Sequence, residues 1–120
     1  MTIEELYQKI NGDYAGVLSR LFKVSMVQKY VGRFLDDPSF GELQTAINAQ
    51  NWADAFRAAH TMKGLSATLG LTPLQTAAET LTESLRGGVP PANLNELFQA
   101  VAESYAQTSA AIAEYRQNPS

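Results

Sequence analysis

The chain has 120 residues, of which 45% are hydrophobic, and this size suits one domain with one core. It has no cysteine and only one histidine, which excludes disulfides, thiol catalysis and the usual zinc-ligand sets. The net charge of −3 and the absence of lysine- or arginine-rich runs give no support to nucleic-acid binding, and no apolar run is long enough to cross a membrane.

The N-terminal residues predict two short helices. Thr2 and Glu5 have the spacing of a capping box, in which two residues satisfy each other's backbone N–H groups. The helix that they open is expected to end at Gly12, in the C′ position, and a second helix follows over residues 14–21. We interpret residues 1–22 as an arm that packs on the rest of the domain.

A longer helix is predicted over residues 23–36, where apolar side chains recur at helical spacing. Pro38 ends this segment, because the residue before a proline avoids the α conformation. Ser39 and Glu42 then offer a second capping box for a helix that continues to Ile47.

The central helix is predicted to begin after Asn51, a favourable N-cap, with Asp54 near the positive end of the helix dipole. Gly70 is expected at C′, and Leu71 is expected to be the hydrophobic residue that completes a Schellman ending. We assign Phe56 to the buried apolar stripe of this helix.

The chain then enters another helix at once, with Thr72 as the expected N-cap and Pro73 at N1. That helix ends before the glycine pair at 87–88. A last helix is predicted over residues 92–115, and its alanine-rich part, residues 106–113, is expected to protrude or to pack thinly.

Short connections between consecutive helices favour antiparallel neighbours, and no stretch alternates like a strand. The sequence therefore predicts an all-α fold: an up-down antiparallel four-helix bundle with short N-terminal helical segments. We expect residues 1–120 to form a single domain, with the bundle in residues 23–117. Met1 and the polar C-terminal tail favour a free-standing protein over a segment of a larger one.

The only histidine, His60, lies in the central helix at the border of its apolar stripe. On a helical wheel it falls about 40° from Phe56 and from Gly64 and about 160° from Met62, so one ring edge can touch the bundle while the other faces solvent. Lys63 is a same-side neighbour one turn later. Gly64 costs the helix about 1 kcal/mol relative to alanine, and access of a large partner to the imidazole is a sufficient reason for it.

Histidine side chains in water have a pKa of about 6.5, so an exposed imidazole is a nucleophile at neutral pH. Attack on a phosphoryl group gives a phosphoramidate, whose negative charge Lys63 would partly offset. A nucleophile and a positive charge without a general base suit a phosphate carrier, because the partner can supply the metal and the leaving group. A kinase has no support, since the chain lacks a Gly-rich nucleotide loop.

The residues His60, Lys63, Gly64 and Gly70 resemble the motif of the histidine-containing phosphotransfer (Hpt) domains of two-component phosphorelays. In that motif a lysine follows the histidine after three residues, a glycine after four and a second glycine after ten, and all of them are present here. The resemblance covers residues 24–86 well. A lone histidine–lysine pair is weak evidence, whereas this spacing in an all-helical chain of this size is specific.

The resemblance implies that His60 is the phosphoryl acceptor and Lys63 its charge neighbour. Phosphate would come from a sensor histidine kinase or from an aspartate of a response-regulator receiver domain and pass to another receiver. The receiver would supply Mg²⁺, so the chain itself would be a carrier without cofactor or metal and not an enzyme. Many members place glutamate or glutamine at the position of Thr82 to hold the inner ring nitrogen; Thr82, Glu79 and Glu83 are all candidates here.

Gly64, Ala67, Thr61 and Arg57 are the candidate docking residues, because they share the side of the helix that a receiver would cover. The N-terminus lacks a secretory signal, so we expect a cytoplasmic monomer that binds neither nucleic acid nor membrane. The alternative function is a helical adaptor or scaffold that keeps the bundle but never carries phosphate. The carrier is favoured, because a pure scaffold has no need of Gly64 or Lys63.

Overall fold

The computed structural model of the protein describes all 120 residues and contains seven helices and no strand. The all-α prediction is therefore confirmed, and each predicted helical segment is present. The helices are α1 (Ile3–Lys9), α2 (Tyr14–Leu21), α3 (Val24–Phe34), α4 (Ser39–Asn48), α5 (Trp52–Leu69), α6 (Thr72–Leu85) and α7 (Leu94–Gln117).

The four helices α4 to α7 form the predicted up-down bundle, in which each helix packs against the next. Stacked aromatic rings join its first and last helices: the Phe40 ring lies 4.3 Å from that of Tyr105 and 5.9 Å from that of Phe98, between centroids. Helix α3 packs against α5 and α7. The large side chains of α4 to α7 that are completely buried are all apolar: Leu43, Leu74, Leu81, Leu85, Val101 and Ile112.

The N-terminal arm covers the later part of α7. Helix α1 packs on that helix, and the Lys9 ammonium lies 2.5 Å from the Glu114 carboxylate. Ala111 and Ile112 are buried. The prediction that residues 106–113 protrude or pack thinly is therefore wrong, because a helix far away in the sequence covers small side chains whose own pattern gave no sign of burial.

Both ends of α5 are as predicted. The Asn51 side chain accepts a hydrogen bond from the Asp54 N–H at 3.2 Å, which caps the first turn. At the other end Gly70 adopts the left-handed conformation, with φ 69° and ψ 27°. Leu71, which is fully buried, donates its backbone N–H to the Ser66 carbonyl oxygen at 2.9 Å and completes the Schellman ending.

The arm also holds the C-terminal end of α5. The Tyr7 hydroxyl donates to the Leu69 carbonyl oxygen at 2.5 Å, and burial raises the pKa of that phenol. The Arg20 guanidinium donates to the carbonyl oxygens of Ala67 and Thr68, at 2.9 and 3.1 Å. The last carbonyl groups of a helix have no hydrogen-bond partner within it. The arm therefore supplies hydrogen-bond donors to carbonyl oxygens of α5 that would otherwise lack one.

One predicted end of α1 is correct and the other is wrong. The Thr2–Glu5 capping box is present. The left-handed residue after the helix, however, is Asn11 (φ 55°) and not Gly12. Asparagine tolerates this conformation. Gly12 is needed for a different reason: a Cβ atom there would lie 2.7 Å from the Gly70 carbonyl oxygen, which is too close for any other residue.

The caps predicted at Ser39 and Thr72 are also wrong. Ser39 is buried in the first turn of α4, and its N–H donates to the Asp37 carboxylate at 2.9 Å. Thr72 is already the first residue of α6, which places Pro73 at the second position, and the N-cap is Leu71, which makes no side-chain hydrogen bond. Because Leu71 is held in the core, the chain turns into α6 directly after it.

Candidate functional site

Helix α5 carries the single histidine on its solvent side. The helix packs between α4 and α6, and Ala55, Ala59 and Met62 on its inner face are buried. His60, the neighbour of Ala59 in the sequence, is exposed. Since successive residues lie about 100° apart around a helix, the packing of the inner face turns the imidazole toward solvent.

The imidazole of His60 lies against one aromatic side chain. Phe56 is one turn earlier, and the two ring planes are nearly parallel, 13° apart, with centroids separated by 6.1 Å. The nearest hydroxyl along the helix, that of Thr61, donates instead to the Arg57 carbonyl oxygen at 3.0 Å. Neither ring nitrogen of His60 is hydrogen-bonded to another residue of the chain, and the residue is exposed.

The next turn of α5 offers charge and space beside His60. Lys63 is half-buried, and its ammonium takes part in none of the three ion pairs of the chain. Gly64 is exposed, and a Cβ atom built on it would meet nothing within 4 Å outside the backbone of its own helix. Helix geometry therefore puts an unpaired positive charge and an open surface on the side of the imidazole.

The carboxylate of Glu83 on α6 lies within electrostatic range of this site. Arg86 donates two hydrogen bonds to it, from Nε at 3.1 Å and from Nη2 at 2.9 Å. These bonds and the guanidinium charge lower the pKa of Glu83, and the positive charges of Lys63 and His60 add a smaller effect in the same direction. Glu83 therefore lies within electrostatic range of both α5 residues.

The other two residues considered for ring orientation lie in different surroundings. Thr82 is fully buried, and its hydroxyl donates to the Ala78 carbonyl oxygen at 2.7 Å, so its proton is already used within α6. Glu79 is exposed, one turn before Glu83, and forms no ion pair. The structure thus leaves Glu83 within electrostatic range of the histidine and keeps Thr82 in the core.

The residues considered for docking lie along the outer side of α5. Arg57 and Thr61 are exposed and line an open groove of about 970 Å³ between α4 and α5. The Arg57 guanidinium pairs with the Asp54 carboxylate. Ala67 is half-buried further along the helix. This side of α5 therefore combines small or short side chains with one arginine that already has a partner.

The family model described as "Hpt domain" matches residues 29–114, which is most of the chain and includes every residue of the site. This chain belongs to the Hpt family. A search of curated proteins and a search of solved structures each found no match. Hpt domains take part in phosphorelays as histidine phosphotransfer proteins and are carriers rather than catalysts, so this Hpt domain has that general role.

Two residues of the Hpt domain belong to the site although the sequence did not assign them to it. Phe56, assigned to the core, is only half-buried and has its ring against His60. The Arg86 guanidinium lies 5.3 Å from the centroid of the Phe56 ring. The four-residue spacing of Phe56 and His60 indicates that their side chains are neighbours on the helix. No local pattern in the sequence indicates that Arg86, just after α6, lies beside Phe56.

Two further properties of this Hpt domain concern metals and membranes. No group of three or more histidine, cysteine, aspartate or glutamate side chains is arranged to hold a metal ion. None of the seven helices combines the length and the apolar character needed to span a bilayer.

Proposed function

We propose that this Hpt domain accepts a phosphoryl group on His60 from a receiver-domain aspartate, or from a sensor histidine kinase, and passes it to another receiver. The observation that carries the proposal is the exposed imidazole, whose two nitrogens have no partner within the chain. The residues that we place around it lie in α5, in α6 and directly after α6 of one chain, so we expect the carrier to act as a monomer.

The transfer is a displacement at phosphorus. The lone pair of the outward ring nitrogen forms the N–P bond, the P–O bond to the aspartyl carboxylate breaks, and the carboxylate leaves with the electron pair. The second ring nitrogen keeps its proton during the attack, so the ring takes up the positive charge. Mg²⁺ and the other catalytic groups are expected on the receiver, and the same displacement in reverse passes the phosphoryl group on.

Lys63 is the residue that responds to the new charge. A phosphoryl group adds close to two negative charges at neutral pH. The ammonium of Lys63 lies on the same side of α5, is half-buried and has no carboxylate partner. It therefore stabilises both the incoming phosphoryl group and the phosphohistidine, without forming a bond to either ring nitrogen.

Gly64 supports the carrier over the adaptor alternative. A glycine inside a helix costs about 1 kcal/mol relative to alanine. A Cβ atom on Gly64 would meet nothing within 4 Å, so internal packing does not require the glycine. A scaffold that needed only the bundle would gain stability from a larger residue there, whereas a carrier needs the space for its partner.

The proposal is tested by transfer of labelled phosphate from phosphorylated receiver domains to the purified chain. We expect the wild-type chain to take up an acid-labile, alkali-stable label and His60→Gln to take up none. Because His60 is exposed, the circular dichroism spectrum and Tm should be the same for both. Undiminished label on His60→Gln would remove His60 as the acceptor, and a wild-type chain that no receiver or kinase phosphorylates would favour the adaptor.

A further inference from the structure

No hydrogen bond within the chain fixes the orientation of the acceptor ring. The Thr82 hydroxyl is buried and donates to Ala78. The Glu83 carboxylate accepts two hydrogen bonds from Arg86. A ring that turns freely about its side-chain bonds presents its nitrogen in the productive direction only part of the time, and such loss of orientation slows a displacement.

We propose that Phe56 positions the His60 ring by stacking against it, in place of a hydrogen bond, and that Arg86 in turn holds Phe56. This inference rests on the proposed role of His60 as acceptor. The ring planes are 13° apart and the centroids are separated by 6.1 Å, within the range of about 4.5–7 Å for offset stacking. The four-residue spacing places both rings on one side of α5.

Phe56 is itself held in place from two directions. It is half-buried and packs against the hydrophobic cluster of the bundle. The Arg86 guanidinium lies 5.3 Å from the ring centroid, within cation–π range. Two hydrogen bonds to Glu83 fix the guanidinium. Contacts therefore run from the end of α6 through Arg86 and Phe56 to His60.

This arrangement has a chemical consequence for the acceptor. Stacking holds an aromatic ring by its face, whereas the nitrogens of an imidazole lie in its edge. Both nitrogens of His60 therefore stay free while the plane of the ring is fixed. A hydrogen bond from a neighbouring side chain would occupy one of them. Phe56 touches the reacting ring and Arg86 acts through Phe56, so both are positioning residues.

The stacking of Phe56 on His60 is tested by NMR spectra of the unphosphorylated full chain together with transfer rates from a phosphorylated receiver. We expect Phe56→Leu to move the carbon-bound ring protons of His60 toward free-imidazole shifts, because the ring current is lost. The same variant should slow transfer by about three- to tenfold, the effect of losing one aromatic pair. Phe56→Trp should restore both readouts, and Arg86→Met should give a smaller change in the same direction.

Two control variants separate positioning from general loss of packing. Phe98→Leu removes a half-buried ring that stacks on Phe40, and we expect normal His60 shifts and a normal rate. Thr82→Val keeps the side-chain shape without the hydroxyl and should also leave both readouts unchanged.

Unchanged ring-proton shifts and an unchanged rate in Phe56→Leu would overturn the proposal. Slow transfer in Thr82→Val with normal behaviour of Phe56→Leu would also overturn it and would give the orienting role to Thr82. The spectra do not depend on phosphorylation. Failure of the wild-type chain to accept phosphate would therefore reject the proposed function, while the ring-proton shifts would still decide whether Phe56 holds the ring.

Discussion

Gly64 is a helix-interior residue with open space around it, and its replacement separates stability from function. Gly64→Gln should raise the free energy of unfolding by about 0.5–1 kcal/mol, because glutamine is a better helix former and a Cβ atom at this position would meet nothing within 4 Å. The same variant should obstruct transfer, since the new side chain occupies the approach to His60. Chemical denaturation and labelled-phosphate transfer measure the two effects.

Gly41 in α4 provides the matched control for stability. It lies in the first turn of α4, and a Cβ atom there would meet nothing within 4 Å. Gly41→Gln should therefore also gain stability, by no more than Gly64→Gln, because the interior of a helix is where glycine costs most. If Gly64→Gln transfers phosphate at the full rate, the steric explanation of Gly64 is wrong.

In the proposed function Lys63 contributes charge rather than contact, so its removal should have a modest effect. We expect Lys63→Ala to slow transfer by about two- to fivefold and to shorten the lifetime of the phosphohistidine, as for the loss of one partly screened charge. Lys63→Arg keeps the charge and should retain most of the rate. Lys29→Ala removes an exposed lysine on α3 and should change neither readout; a similar loss there would point to net charge instead.

At the scale of elements, the turn between α5 and α6 depends on Gly70 for two separate reasons. Its φ of 69° is unfavourable for other residues, and a Cβ atom would lie 2.6 Å from the Asp13 carbonyl oxygen. Gly70→Ala should therefore lower the free energy of unfolding by about 3 kcal/mol, measured by urea denaturation.

Gly87 separates the two contributions. It has a φ of 93°, but a Cβ atom there would meet nothing within 4 Å. Gly87→Ala should lower the free energy of unfolding by only about 1 kcal/mol, from backbone conformation alone. Equal losses of unfolding free energy in Gly70→Ala and Gly87→Ala would show that the close approach of the Asp13 carbonyl oxygen does not affect stability.

At the scale of the whole molecule, the N-terminal arm and the bundle share one core. Ile3, Leu6, Tyr7 and Val17 of the arm belong to the same cluster of buried residues as the bundle core. We propose that residues 1–120 fold as a single domain in which residues 1–22 stabilise the end of α5 and the later part of α7. The hydrogen bond from Tyr7 to Leu69 is one such contact.

The Tyr7 phenol gives this arrangement a measurable pH dependence. Burial raises its pKa above the value of 10.0 that applies to an exposed tyrosine, so above that pH the unfolded chain releases a proton that the folded chain keeps. Stability from this group is present below pH 10.0 and falls as the pH rises further, by about 1.4 kcal/mol per pH unit. Tyr7→Phe should lower stability by about 1 kcal/mol at neutral pH and show a shallower alkaline decline. Denaturation curves that decline in parallel above pH 10.0 would contradict this assignment.

The sequence by itself determined the seven helices, both ends of α5 and the outward position of His60. These features depend on side chains a few residues apart, since apolar spacing, the Asn51 cap and the Gly70–Leu71 ending all act within one or two turns. The same local signals were misleading at Ser39 and Thr72, where burial of nearby side chains decided where each helix begins.

Only the tertiary structure decided which side chains from other parts of the chain contact α5 and α7. It buried the alanine-rich part of α7 under α1, kept the Thr82 hydroxyl in the core and brought Arg86 to the ring beside His60. Contacts of this kind join residues that are distant along the chain, and they form only when the packing of whole helices fixes the distance and rotation between them. No local pattern encodes that geometry, so the imidazole was predictable while the side chains that surround it were not.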